Sequence, residues 1–209
     1  MSPSYHPIDL LRADARDHIE DRNRHVSLWL AIIQGKQPEQ LVQEFKALVD
    51  LIPFWTQLHY DICAYVGAAG YGQLLEETFE KAYARELDDF RVAYGLGLVL
   101  QTLNKHERAA QIYQAAIIKK PEFAPFHYNL AVAYMTKDML DEEEEAAKEA
   151  VRCSDFFAEP HYLLGMLALQ RGNMFEAEVW LHEFVKLAGP YLERYRQSAQ
   201  GTLAVIRRA

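Results

Sequence analysis

A chain of 209 residues, half of them hydrophobic, is long enough to bury one substantial core, and its net charge of −8 leaves no surplus of cations to neutralise a phosphate backbone. No stretch approaches the roughly 20 apolar residues needed to span a bilayer, and no basic start followed by an apolar run marks a secretion signal. Nucleic-acid binding and membrane insertion are set aside on these grounds, and a soluble cytoplasmic protein is the expected class.

Residues 1–21 come first. Met1 to Pro7 read as loose, while Ile8, Leu11, Ala15 and Ile19 fall at a helical spacing that predicts a short packing helix. From residue 22 the chain divides into ungapped 34-residue blocks: 22–55, 56–89, 90–123, 124–157 and 158–191. The first block is divergent. It holds Leu28, Phe45, Leu48 and Pro53 in column but puts Trp29 where later blocks have a small residue, and its Pro38 suits the first turn of a helix. The later blocks carry one ring each at the same place: Tyr60, Tyr94, Tyr128 and Tyr162. Cys63, Gly97, Ala131 and Gly165 form a small-residue column, and Phe79, Tyr113, Ala147 and Leu181 form the column expected to face it. Gly70, Asn104, Asp138 and Gly172 form a turn column of residue types that end helices and tolerate positive φ. Residues 192–209 close the chain with an apolar stripe through Leu192, Tyr195, Ala199, Leu203 and Ile206, a predicted capping helix. The period predicts an all-α, right-handed solenoid of about five helix-turn-helix repeats with flanking helices.

These columns resemble the tetratricopeptide repeat family. Block 90–123 carries Leu96, Gly97, Ala109, Tyr113, Ala116 and Pro121 at the matching places, and block 124–157 carries the run Tyr128, Asn129, Leu130, Ala131. Leu75 and Glu143 stand where the family prefers alanine, and Leu87 and Asp155 where it prefers proline. The resemblance implies a non-enzymatic protein-protein interaction module whose first helices line a concave groove. Carried over position by position, that groove comprises Tyr60, Tyr94, Leu98, Tyr128, Asn129, Val132, Tyr162 and Met166. Its apolar and aromatic character implies an adaptor or chaperone holding an apolar peptide segment or an amphipathic helix, with Asn129 able to donate to and accept from a peptide backbone. The cations of the chaperone-binding carboxylate clamp are missing, since Tyr94, Leu98, Glu159 and Leu163 occupy those places.

Other features have plainer readings. His25, His59, His127 and His161 recur in register, but each lies on a different helix without an HxxxH pair, so packing is expected rather than a metal site. Cys63 and Cys153 are too far apart along a solenoid for a disulfide. The acidic run Asp141 to Glu145 opens a second helix, where carboxylates complement the helix dipole. No nucleophile elbow, phosphate loop or ligand cluster is present, and neither catalytic residues nor a cofactor are expected. The alternatives to a peptide-binding module are a self-assembling scaffold, in which the terminal amphipathic segments make a homo-oligomer, and an accessory subunit of an enzyme or secretion complex.

Overall fold

The computed structural model describes residues 15–35 and 37–208. The expected loose start and the first turns of the packing helix, Met1 to Asp14, lie outside them. The described residues form α1 (Ala15–Gln34), α2 (Pro38–Leu51), α3 (Thr56–Val66), α4 (Gly72–Arg85), α5 (Phe90–Thr102), α6 (His106–Lys119), α7 (Ala124–Met135), α8 (Leu140–Cys153), α9 (Ala158–Gln170), α10 (Met174–Leu187) and α11 (Glu193–Ile206). First helices begin at residues 56, 90, 124 and 158, and second helices at 38, 72, 106, 140 and 174, each series stepping by 34. Among the described residues, α1 runs unbroken through residues 21 and 22, across the expected boundary between the packing helix and the first repeat.

The turn column accounts for the sharp reversals between paired helices. Gly70 (φ 94), Asn104 (φ 58), Asp138 (φ 54) and Gly172 (φ 75) are the residues with positive φ among those described. Asn and Asp reach this region at modest cost because their short polar side chains bond locally.

The small-residue column fixes how closely the helices of a pair approach. A Cβ on Gly97 would run into the Tyr113 ring, and one on Gly165 would stand 2.7 Å from Leu181 Cγ. Gly97→Ala therefore overpacks the α5–α6 contact and is expected to lower stability by about 1–3 kcal/mol, read from the denaturant midpoint. Salt bridges join each second helix to the turn of the next repeat, from Glu76 to Lys105 (2.6 Å), Glu107 to Lys137 (2.7 Å) and Asp141 to Arg171 (2.7 Å). Glu144 also pairs with Arg171, which leaves the acidic run partly neutralised within the chain. Exposed pairs of this kind add little each.

The regular stacking breaks at the second pair. Whereas α5, α7 and α9 each pack chiefly on their own second helix, α3 packs mainly on α1 and α5. A π-type turn through Gly67–Tyr71, with Gly70 outside helical geometry, separates α3 from α4 and frees it to lean inward.

That lean brings distant parts of the chain together. Phe54, just before α3, meets Phe156 at 5.0 Å and Phe157 at 5.7 Å between ring centroids. Trp55 stacks on Tyr191 at 5.0 Å, and α1 touches the 3-10 turn Pro190–Leu192. The solenoid thus closes on itself, and the expected open concave groove becomes a cavity with a closed side. The cap α11 packs on α10, burying Ala199 and Leu203 with Leu181 and Phe184. Among the described residues no helix is long and apolar enough to cross a membrane.

Candidate peptide-binding cavity

The inner face, closed along one side, forms a half-open cavity of about 560 Å³. Thr56, Gln57 and Tyr60 reach it from α3, and Tyr128, Asn129, Val132 and Met135 from α7. Tyr162, Leu163 and Met166 enter from α9, while Leu192 and Tyr195 complete the wall beside the cap. Tyr162 lies between Phe184 (5.0 Å) and Tyr195 (5.4 Å), so its ring is held rather than swinging free. Tyr60, Met135, Met166 and Tyr195 remain exposed at the rim, an arrangement in which adaptable thioethers and amphipathic rings meet an incoming ligand first.

Six of the eight residues carried over from the family pattern line this cavity: Tyr60, Tyr128, Asn129, Val132, Tyr162 and Met166. Tyr94 and Leu98 do not. Both are fully buried, because α3 leans over α5 and covers the face that would otherwise look into the groove. Tyr94 is packed among Phe45 (5.9 Å), His59 (5.6 Å), Phe123 (5.5 Å) and Phe126 (6.2 Å), and its hydroxyl lies 3.2 Å from His59 Nδ1. Burial pushes that phenol well above its ordinary range. The expectation for Asn129 is also altered. Its side chain is buried and its Nδ2 donates to Pro125 O in the same helix at 2.8 Å, while its backbone carbonyl accepts from Gln101 Nε2 at 3.2 Å. It braces the cavity floor before it can greet a ligand backbone.

Sequence reasoning missed Glu159 and Tyr195 as cavity residues. Glu159 Oε1 accepts from the Thr56 hydroxyl at 3.0 Å and Oε2 from the Tyr191 hydroxyl at 3.4 Å, joining three segments at the line of closure. Burial pushes its carboxyl up to about 8, so it is largely protonated at neutral pH. The available signal was the pairing of Phe54 and Trp55 with Phe156 and Phe157, aromatic doublets placed before α3 and α9 that the other repeats lack.

The histidine column serves packing. His127 Nε2 lies 2.7 Å from Pro121 O and His161 Nδ1 3.0 Å from Phe157 O, each bracing its own helix start. Burial, with His25 adding a smaller push, lowers His59 to about 3. No group of three or more metal-ligating side chains occurs among the described residues. Both cysteines are free thiols, and burial pushes Cys63 up to about 12, away from reactivity.

Comparison with known proteins places this geometry. The tetratricopeptide repeat profile matches residues 76–124 and 94–156, the regular part of the stack. A thermophilic tetratricopeptide-repeat protein of Thermus thermophilus superimposes with a TM-score of 0.60 at 18% identity, covering 88% of this chain and 99% of that one. PilF of Pseudomonas aeruginosa superimposes with a TM-score of 0.58 at 18% identity over 91% of this chain and 90% of its own. YrrB, described as a tetratricopeptide-repeat protein with an unusual peptide-binding site, gives a TM-score of 0.55 at 15% identity over 90% and 98%. At such identities the likeness is one of fold. No curated protein matches the sequence.

Proposed function

We propose that this chain, which belongs to the tetratricopeptide-repeat family, is a non-enzymatic protein-binding module, an adaptor or chaperone, that takes a short apolar segment of a partner into the inner cavity. The carrying observation is the cavity itself. Its wall is dominated by apolar and aromatic side chains, and four large ones, Tyr60, Met135, Met166 and Tyr195, stand uncovered at the rim. A space of about 560 Å³ suits a helical turn or a few side chains rather than a long extended peptide. Closure between Phe54 and Phe156–Phe157 supports the same limit on length.

Panning a displayed library of short peptides on the purified chain tests this reading. Selected sequences should be apolar, and Val132→Lys should reduce their capture at least about tenfold while the circular-dichroism spectrum stays helical. Ligands indifferent to Val132→Lys overturn it. The self-assembling alternative has weaker support, because the apolar stripe of α11 is already buried against α10 through Ala199 and Leu203.

A further inference from the structure

The charges around the cavity specify more than an apolar ligand. Glu159 is the carboxyl of its floor. Asp61 sits one residue beyond Tyr60, held by Gln57 Nε2 at 2.8 Å, and its charge acts on the phenols of both Tyr60 and Tyr195. Four tyrosines face inward from three first helices and the cap. Tyrosine rings and the thioethers of Met135 and Met166, all electron-rich groups, line the space. Among the described residues that line it there is no lysine or arginine; besides Glu159 and the tyrosines, His106 is the titratable lining group, and Arg194 acts on Tyr195 without lining the space. Such a cavity is electronegative without being strongly charged.

We propose that this cavity, in the binding role assigned above on which the inference rests, takes a cationic side chain on an apolar stem, lysine or arginine, from the partner segment. The stem lies against Val132 and Met166, and the head rests over the tyrosine rings within reach of Glu159. A cation within roughly 6 Å of a tyrosine ring is attracted by the ring quadrupole, most strongly where water is excluded. An entering positive charge also favours the ionised form of the Glu159 carboxyl, so binding expels its proton and strengthens as pH rises toward about 8. Anionic segments are disfavoured by the Asp61 carboxylate and, once it ionises, by Glu159.

The test uses four small probes on the full chain at fixed ionic strength, followed by NMR of the tyrosine rings: n-butylammonium, N-butylguanidinium, 1-butanol and butanoate. Both cations should bind about tenfold more tightly than 1-butanol, and butanoate more weakly still. Glu159→Gln should shrink the cation preference and remove its rise with pH. Asp61→Asn, outside the lining and away from the closure contacts, should shrink it without perturbing the fold. If 1-butanol binds as tightly as the cations, the inference fails while an apolar cavity survives. If no probe moves the resonances of the lining tyrosines, the inference and the cavity reading fail together.

Discussion

Tyr94→Ala should lower the stability of the chain by about 3–5 kcal/mol, whereas Tyr60→Ala, one repeat earlier and in the same column, should cost about 1 kcal/mol or less. The difference follows from where the two rings lie. Tyr94 is enclosed by Phe45, Phe123, Phe126 and His59, and truncation removes those ring contacts and leaves a void between α3 and α5. It also strands His59 Nδ1, whose neighbour is the Tyr94 hydroxyl. Tyr60 is 38% exposed at the cavity rim, so its removal uncovers little. The order reverses for ligand capture: Tyr60→Ala weakens it, while Tyr94→Phe, which keeps the ring, leaves it intact. Chemical denaturation of both variants, with peptide capture measured under native conditions, checks the pair. Equal stabilities would contradict the buried placement of Tyr94.

The second large effect is the pH dependence set by Glu159. In the unfolded chain this carboxyl ionises near its ordinary 4.5, while burial holds it protonated in the folded chain up to about 8. Between those values the unfolded state has already released the proton that the folded state retains, so raising the pH favours unfolding. The contribution is full below 4.5, declines by up to about 1.4 kcal/mol per pH unit, and is lost once the folded carboxyl ionises near 8. His59 acts in the opposite sense. Its folded value near 3 lies below the ordinary 6.5, so its contribution is present above 6.5 and lost on acidification. The two slopes oppose each other in mildly acidic solution, and the Glu159 slope stands out from about pH 7 to 8. Glu159→Gln should flatten the stability profile there and steepen it between about pH 4.5 and 6.5, where the His59 slope is left unopposed. A profile as steep above neutral pH in that variant as in the wild type would mean that the carboxyl at the closure is not the group responsible.

The fold was legible because its determinants recur within each repeat. A reversal requires a residue that accepts positive φ, and the turn column contains Gly70, Asn104, Asp138 and Gly172. A close helix pair needs a small residue opposite a large one, and Gly97 with Tyr113 and Gly165 with Leu181 meet as their columns foretell. The candidate site was less legible because a column assigns the same role to every member. Tyr60, Tyr128 and Tyr162 reach the cavity, yet Tyr94 is buried, because the lean of α3 is set by the turn at Gly67–Tyr71 and by Phe54, Trp55, Phe156, Phe157 and Tyr191. Those contacts link residues about a hundred positions apart and lie outside the repeat. Glu159 was hidden for the same reason, since its partners Thr56 and Tyr191 belong to other segments.

The most direct test of the binding role is photo-crosslinking in the native cell from a benzophenone side chain at position 166, on the cavity rim, compared with position 118. Ile118 is 83% exposed on α6 and does not line the cavity. One partner segment, apolar and bearing a lysine or arginine, should crosslink from 166 and not from 118, and Val132→Lys should abolish it. Crosslinks that form from 118 but not from 166 would contradict the account.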